Sequence, residues 1–533
     1  MKVFIYSIIA VAFTCLFAAC NTGSHSTEHH FAEADLHRIR ENNVAEIKEE
    51  SNKAYNTEEY DNIVENPFVT ALKQPLSTFS VDVDRAAYSN VRRYLQGGLL
   101  PPRGAVRIEE MINYFNYSYS QPGEGVPFSV NTETASCPWN PEHKLIHIGL
   151  KGREIEKENL PPANLVFLVD VSGSMDEPNK LPLVQSSLKM LATQLRNEDR
   201  VAIVVYAGSA GLVLPSVKGS EKRKINAAVE AVQAGGPTAG GEGIRLAYRV
   251  AKEHFIKEGN NRVILATDGD FNVGVSSEDE LVALIEEERK SGVFLTVLGY
   301  GMGYYKDNKM QQLADKGNGN HAYIDNSDEA RKVLVNEFGG TLFAIAKDVK
   351  LQVEFNPLHV KSYRLIGYEN RMLSKEDFND DKKDAGEIGA GHTVTALYEV
   401  IPAGVADEYS GKVDELKYQQ PEAVKDNYSD EMMTIKLRYK APDGDVSNLM
   451  TKTVAATDAA FEDASENFRF SAAVAEFGLL LRRSAYRQSA SFSQVMSLAK
   501  SARGNDDDGY RSEFIRLAET ASALSVAKDI SKN

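Results

Sequence analysis

The sequence predicts an α/β fold, in which a doubly wound domain is inserted into a β-rich, sandwich-like region and a helical segment follows. Three observations predict it. Apolar strands alternate with amphipathic helices between residues 161 and 345. Runs with a period of two lie on both sides of that segment, and helical spacing of apolar residues dominates the C-terminal part. Alternating β and α elements form parallel sheets covered on both faces, whereas period-two runs are typical of antiparallel strands with one wet face.

The N-terminus predicts export and lipid attachment. A mostly apolar run of residues 3–19 is too short for a comfortable membrane span, so we expect residues 1–19 to be a cleaved signal peptide. The segment Leu16-Phe17-Ala18-Ala19-Cys20 resembles a lipobox, although its phenylalanine stands where an aliphatic residue is usual. We therefore expect an acyl chain such as palmitate on Cys20. An ordinary signal peptide and an uncleaved N-terminal anchor remain open alternatives.

Residues 20–61 are polar and predict a tether between the lipid and the folded part. Asn21 stands where some bacteria place an aspartate as an inner-membrane retention signal, which favours the outer membrane of the cell envelope. The net charge of −16 argues against binding to nucleic acid. Of the three cysteines, Cys15 lies in the signal peptide and Cys20 at the lipid site, and we expect Cys137 to be a small buried residue.

The region 62–160 begins with two predicted helices, at 84–96 and 106–116, and continues with two strands near 128–132 and 146–150. The domain at 161–345 follows with its alternating elements. Its predicted strands are 165–169, 201–206, 263–266, 293–298 and 322–324, and its predicted helices include 184–195, 220–233, 241–255, 278–291, 308–316 and 327–338.

Period-two strands return in the region 346–460, and the region 461–533 reads as helical. Because strands flank the α/β domain on both sides, we expect residues 125–155 and 345–455 to form one β-sandwich around the insertion.

Oxygen-bearing side chains follow three separate elements of the α/β domain. Asp170, Ser172 and Ser174 come after the first strand, Thr238 lies in a glycine-rich loop, and Asp268 follows a later strand. The carboxyl ends of parallel strands meet at one edge of a sheet, where ligands bind. Oxygen donors suit hard cations, so we predict a site for Mg²⁺ or Mn²⁺ with a position left for an incoming carboxylate.

This set matches the motif Asp-x-Ser-x-Ser, distant Thr and later Asp of the von Willebrand factor type A (VWA) family. The resemblance implies that Ser172, Ser174 and Thr238 touch the metal directly, and that Asp170 and Asp268 bind it directly or through water. The alternative is that these residues only form caps and tight turns.

Further motifs resemble the YfbK-like bacterial VWA lipoproteins. They lie at residues 65–68, 78–84, 107–115 and 363–371, and the resemblance covers roughly 62–530. It implies an envelope lipoprotein without an agreed biochemical role. For the acidic residues Asp82 and Asp84 in the second motif, we expect helix capping.

The preferred hypothesis is a binding protein, not an enzyme, that captures an acidic side chain of a protein partner through the metal. A metal-dependent hydrolase of envelope polymers is a second hypothesis, because a bound metal activates water. A structural scaffold whose metal only stabilises the loops is a third.

Overall fold

In the part of the chain that the structure describes, the fold contains three β-sheets and two groups of helices. The structure is a computed structural model, and it describes residues 58–207, 209–235, 240–269, 278–303, 305–337, 343–383, 385–406, 408–409, 428–442 and 444–530. The predicted signal peptide 1–19, the predicted lipidation site Cys20, nearly all of the predicted tether and the predicted metal ligand Thr238 lie outside these residues. The strands in the described part are β1 (Val69–Thr70), β2 (Leu76–Ser80), β3 (Phe128–Cys137), β4 (Asn140–Gly152), β5 (Ala163–Asp170), β6 (Arg200–Tyr206), β7 (Ala210–Lys218), β8 (Asn260–Thr267), β9 (Val293–Tyr300), β10 (His321–Ile324), β11 (Ala344–Phe355), β12 (Val360–Ile366), β13 (Ile388–Gly389), β14 (Thr393–Pro402), β15 (Glu431–Lys440) and β16 (Ser447–Ala455).

The α-helices in the same residues alternate with the middle strands and gather at the C-terminal end. They are α1 (Ala86–Gln96), α2 (Ile108–Asn113), α3 (Leu181–Gln194), α4 (Lys222–Ala231), α5 (Gly240–Glu253), α6 (Glu278–Glu288), α7 (Asp307–Lys316), α8 (Ser327–Arg331), α9 (Glu466–Arg482), α10 (Phe492–Ser501) and α11 (Tyr510–Ile530). No helix in these ranges combines the length and the apolar content that crossing a membrane requires.

The α/β domain contains a six-stranded sheet in the order β10-β9-β8-β5-β6-β7. The first five of these strands pair in parallel, and every residue of the central strands β5 and β8 is buried. Helices α3, α4 and α8 share one hydrophobic core with the sheet, and α5, α6 and α7 share the other. The predicted doubly wound fold is therefore confirmed.

One strand of this sheet was not predicted. Strand β7 pairs with β6 antiparallel and forms the edge of the sheet. Its residues do not alternate between buried and exposed positions. All of them except Leu214 are at least partly exposed. Its apolar run Leu212–Leu214 spans only three residues and is followed by Pro215, which argues against a central strand.

Two antiparallel sheets pack face to face and share one hydrophobic core, as in a β-sandwich. One has the order β1-β12-β14-β4-β3, and the other has β13-β11-β15-β16 with β2 paired to β11. The predicted strands of 125–155 and 345–455 are therefore joined in one sandwich, with the α/β domain between them in sequence. The short strands β1 and β2 also take part, although the sequence did not identify them.

The C-terminal helices α9, α10 and α11 pack with the N-terminal helices α1 and α2 in a separate core. This core also covers the outer side of the first sandwich sheet through Cys137 and Trp139, both of which are buried. Burial raises the pKa of the Cys137 thiol well above its usual range. The residue is thus a buried neutral side chain, in agreement with the sequence analysis.

Asp82 and Asp84 do not cap a helix, contrary to expectation. Helix α1 begins after Arg85, whose side chain makes no capping hydrogen bond, and Glu110 accepts a hydrogen bond of 2.9 Å from the backbone N–H of Ala87. Asp84 instead lies buried against Arg371, with Nη2 of Arg371 at 3.0 Å from its Oδ2. The sequence does not distinguish these two roles, because an aspartate that caps a helix and an aspartate that forms a long-range ion pair can both stand directly before a helix.

Candidate metal centre

The two predicted carboxylates lie at the same edge of the α/β sheet. Strand β5 ends at Asp170, and the neighbouring parallel strand β8 ends at Thr267, directly before Asp268. The register pairs Val169 with Ala266, so Asp170 stands one residue and Asp268 two residues beyond this pair. Both are buried, with relative exposures of 0% for Asp170 and 1% for Asp268. The structure therefore brings together two charged groups that are 98 positions apart in the chain.

The positions of Ser172 and Ser174 depend on a turn that Asp170 stabilises. Oδ1 of Asp170 accepts a hydrogen bond of 2.9 Å from the backbone N–H of Ser172. This bond folds the chain back over the strand end, as aspartate side chains do in turns. The hydroxyl oxygens of Ser172 and Ser174 lie 3.0 Å apart. Ser172 is buried and Ser174 is half-buried, so the pair reaches from the sheet edge towards solvent.

Two hydroxyl groups hold the other oxygen of the Asp170 carboxylate. Oδ2 accepts hydrogen bonds of 3.1 Å from the hydroxyl of Tyr206 and of 3.1 Å from the hydroxyl of Thr267. Oγ1 of Thr267 in turn accepts a hydrogen bond of 3.2 Å from the backbone N–H of Gly269. The carboxylate orientation is thus fixed from the two strands that flank β5.

The electrostatics of Asp170 favour a cation. Burial raises the pKa of its carboxyl group to about 6, and the charge of Asp268 adds to the rise, while the hydrogen bonds from Ser172 and Tyr206 oppose it. A carboxylate whose ionised form is disfavoured by burial and by a like charge gains stability from a positive charge beside it. These groups are therefore compatible with a bound divalent cation.

A buried lysine also contacts this site. Nζ of Lys180 donates hydrogen bonds of 2.8 Å to the carbonyl oxygen of Ser174 and of 3.2 Å to Oδ2 of Asp268. The side chain of Lys180 has a relative exposure of 0%. The site therefore combines two carboxylates, two hydroxyls and one ammonium group.

The donor set suits a hard divalent cation because all four predicted ligands that the structure describes offer oxygen atoms. No group of three or more histidine, cysteine, aspartate or glutamate side chains suited to a metal occurs in the described ranges, so a cation at this edge would need the hydroxyls as ligands. The fifth predicted ligand, Thr238, lies outside those ranges. The described residue Gly235 donates a hydrogen bond of 2.7 Å to the carbonyl of Val171, so the loop leading to Thr238 starts beside the first ligand loop.

Sequence reasoning missed Tyr206, Thr267 and Lys180. Tyr206 ends strand β6, next to β5, and Thr267 ends β8, so both stand at the same sheet edge as the predicted ligands. The rule that strand ends converge could have identified these two residues. Lys180 precedes helix α3, and we find no signal in the sequence that sets it apart from other lysines.

Three family profiles match the chain in succession. The profile described as "von Willebrand factor" matches residues 54–147, "von Willebrand factor type A domain" matches 164–337, and "Uncharacterized protein YfbK, C-terminal" matches 340–524. The VWA match spans both loops that carry the described predicted ligands.

Individual relatives extend the likeness over most of the chain. The chain is 44% identical over 476 residues to "Uncharacterized protein YfbK" of Escherichia coli (strain K12), which covers 88% of this chain and 82% of the relative. It is 27% identical over 189 residues to "Uncharacterized protein sll0103" of Synechocystis, covering 35% of this chain and 43% of the relative. A solved structure, "von Willebrand factor type A from Catenulispora acidiphila", is 15% identical with a TM-score of 0.39, covering 83% of this chain and 89% of that one. The chain therefore belongs to the YfbK family of proteins with a von Willebrand factor type A domain.

Proposed function

We propose that this protein is a binding protein of the cell envelope that captures an acidic side chain of a protein partner through a divalent cation. The cation, Mg²⁺ or Mn²⁺, would be held by Asp170, Ser172, Ser174 and Asp268 together with Thr238. The observation that carries the proposal is the convergence of two buried carboxylates and two serine hydroxyls at one edge of the sheet. VWA domains commonly mediate protein–protein interactions, which agrees with this role.

The chemistry of the donor set supports capture of a carboxylate. Mg²⁺ prefers six oxygen ligands, and neutral hydroxyls compensate little of its charge. The metal therefore remains electrophilic and favours an anionic group in a remaining position. The half-buried hydroxyl of Ser174 and the exposed Gly173 beside it mark the side from which such a group would approach.

The surroundings of the carboxylates favour binding over hydrolysis. Tyr206 and Thr267 donate their hydroxyl hydrogens to Asp170, and Lys180 donates to Asp268. A hydrolase needs a group that accepts a proton from water, within hydrogen-bond reach of that water. These three described neighbours act as donors, so we propose that the protein is not an enzyme.

A lipid on Cys20 would hold the protein to a membrane, more specifically the outer membrane. The support is the lipobox-like segment and Asn21 after the cysteine. In cells that are grown with a labelled palmitate analogue and express the full chain, we expect the native protein to carry the label and Cys20→Ser to carry none. Labelling of both chains would contradict the anchor without affecting the metal-site proposal, and fractionation of the two membranes would test the location.

Calorimetric titration of Mg²⁺ and Mn²⁺ into the purified protein tests the metal site. We expect saturable binding by the native chain and by Asp176→Ala, an exposed neighbour of the motif, and loss of binding in Asp170→Ala and Asp268→Ala. The same variants then serve in a pull-down from envelope extract with and without a chelator. Retention of partner binding by a folded Asp170→Ala protein would overturn the proposed function, and hydrolysis of an envelope polymer that requires Asp170 would favour the hydrolase.

A further inference from the structure

Lys180 places a buried positive charge directly beside the candidate metal ligands. Its ammonium group lies 3.2 Å from Oδ2 of Asp268 and 2.8 Å from the carbonyl oxygen of Ser174. It also lies 3.2 Å from Glu177, but the side chain of Glu177 is 55% exposed, whereas that of Asp268 is 0% exposed. Because water screens the exposed pair, the buried contact with Asp268 is the stronger electrostatic interaction.

Packing keeps the lysine in this position. Gly301 has a φ of +76°, and a Cβ built on it would lie 2.5, 2.7 and 2.9 Å from the Cε, Cγ and Cδ atoms of Lys180. The carbonyl of Gly301 accepts a hydrogen bond of 2.5 Å from the buried hydroxyl of Tyr323. The backbone at Gly301 is therefore fixed against the aliphatic part of Lys180, and the ammonium group is held at the site.

The charges at the site set a condition on metal binding. The two buried carboxylates and the buried ammonium group sum to −1, with the exposed and solvent-screened Glu177 left out. A divalent cation would therefore leave a net charge of +1 among the buried groups. An uncompensated buried charge is costly, and an anionic ligand from outside would neutralise it. If Lys180 were neutral, the two carboxylates alone would balance the cation.

We infer that Lys180 is a specificity-determining residue that weakens binding of the divalent cation alone and couples that binding to an incoming carboxylate. This inference rests on the proposed metal site. Coupling is reciprocal, so the carboxylate raises the affinity for the metal by the same factor by which the metal raises the affinity for the carboxylate. The protein would then hold its metal firmly when an acidic partner is present.

The test measures Mn²⁺ binding by the full chain in buffer alone, in buffer with acetate, and in buffer with acetamide, which is a neutral analogue of acetate. Electron paramagnetic resonance measures the concentration of free Mn²⁺. We expect acetate, but not acetamide, to tighten Mn²⁺ binding by the native chain. In Lys180→Met we expect the affinity for Mn²⁺ alone to rise by about tenfold or more, because one nearby positive charge is removed. We expect acetate to change the Mn²⁺ affinity of this variant less than that of the native chain. The matched control is Lys189→Met, an exposed lysine of helix α3 that pairs with Glu230.

Circular dichroism and a thermal melt establish which variants fold, and Lys180→Gln replaces Lys180→Met if the latter does not. Native binding of Mn²⁺ without tighter binding in the neutral variant would overturn the role of Lys180 and leave the metal site standing. Equal effects of acetate and acetamide on the native chain would overturn the coupling even if neither variant folds. Absence of Mn²⁺ binding by the native chain under all three conditions would instead overturn the proposed function itself.

Discussion

Asp84 accepts a hydrogen bond of 3.0 Å from the guanidinium group of Arg371, which lies 287 positions further along the chain. The same buried carboxylate accepts hydrogen bonds of 2.8 Å from the backbone N–H of His321 and of 3.2 Å from Nε2 of Gln311. One side chain thus joins the segment before helix α1, the VWA domain and the turn after strand β12. This contact attaches the inserted domain to the body that surrounds it.

The change Asp84→Ala should destabilise the protein by about 3–5 kcal/mol, because it leaves a buried guanidinium without one of its partners. The free energy of unfolding from urea denaturation, followed by circular dichroism, measures this loss. The control is Asp82→Ala. The carboxylate of Asp82 lies 3.4 Å from Arg371 and is partly exposed, so its removal should lower the free energy of unfolding by less. Equal losses in the two variants would contradict the assignment of Asp84 as the principal connection.

The elements of the VWA domain could be predicted from sequence because a strand buried on both faces, such as β5 or β8, leaves an uninterrupted apolar run. The packing of helices α1 and α2 against the C-terminal helices could not, since their apolar faces specify burial but not the partner. Strands β1 and β2 were missed for a different reason. They are short, and strand pairing across 270 positions (Ser80 with Lys350) to 294 positions (Val69 with Tyr363) leaves no local pattern.

The same distinction applies to the site. That Asp170, Ser172, Ser174 and Asp268 would lie close together was predictable, because the strand ends that they follow are themselves predictable. Lys180 was not, because its role depends on the direction of a long side chain and on the close approach of Gly301, neither of which a spacing in sequence encodes.

Glu58 should contribute stability that is lost in acid. Burial alone would raise the pKa of its carboxyl group. The hydrogen bonds and charge of Arg93, together with hydrogen bonds from Gly303 and Tyr94, instead lower this pKa to about 2. A depressed carboxyl pKa stabilises the folded state above the ordinary value of 4.5, and this stabilisation disappears as the pH falls towards 2. Glu58→Gln should therefore lower the free energy of unfolding by about 2–3 kcal/mol at pH 7, with a difference that shrinks below pH 4.5.

Urea denaturation at pH 7, 4 and 3 checks this prediction. The control is Glu59→Gln, the adjacent residue, which pairs with Lys306 at 2.6 Å but is 64% exposed. An exposed pair contributes about 0–1 kcal/mol, so this variant should differ little from the native chain. A constant difference between the native chain and Glu58→Gln across the three pH values would show that the contribution of Glu58 does not depend on its ionisation.

Glu476 should show the opposite pH dependence. It lies buried in helix α9, where Oε1 accepts a hydrogen bond of 2.9 Å from the backbone N–H of Ser491. Burial raises the pKa of its carboxyl group to about 7, against the hydrogen bond from Ser491, which lowers it. The unfolded chain therefore releases this proton at a lower pH than the folded chain, and stability falls between pH 4.5 and 7 and stays reduced above that range.

Glu476→Gln keeps an acceptor for Ser491 and removes the ionisation. It should raise the free energy of unfolding by about 1–3 kcal/mol at pH 8 and have little effect at pH 4.5. Urea denaturation at the two pH values measures both numbers. Glu519→Gln serves as the control, because Glu519 is half exposed and pairs with Lys500 on the surface. A loss of stability at pH 8 would mean that the ionised carboxylate of Glu476 is favoured in the fold.

We expect Tyr206 to affect the affinity of the proposed metal site without binding the metal. Its hydroxyl donates a hydrogen bond of 3.1 Å to Oδ2 of Asp170, and the hydroxyl is the only atom that Tyr206→Phe removes. Groups that orient a ligand in this way typically change metal affinity by about 10–100-fold when they are removed. We therefore expect Tyr206→Phe to weaken Mn²⁺ binding by about tenfold or more, measured by calorimetry at pH 7.

A second buried tyrosine provides the comparison that separates orientation from general loss of a buried hydroxyl. Tyr248 lies in helix α5, its ring is buried, and its hydroxyl makes no hydrogen bond within the described part of the chain. Tyr248→Phe removes the same atom from a site that contacts neither carboxylate, so it should leave Mn²⁺ affinity unchanged. If both variants weaken Mn²⁺ binding equally, the effect comes from packing of the domain and not from the orientation of Asp170. If Tyr206→Phe binds Mn²⁺ as the native chain does, the Asp170 carboxylate holds its position without the tyrosine.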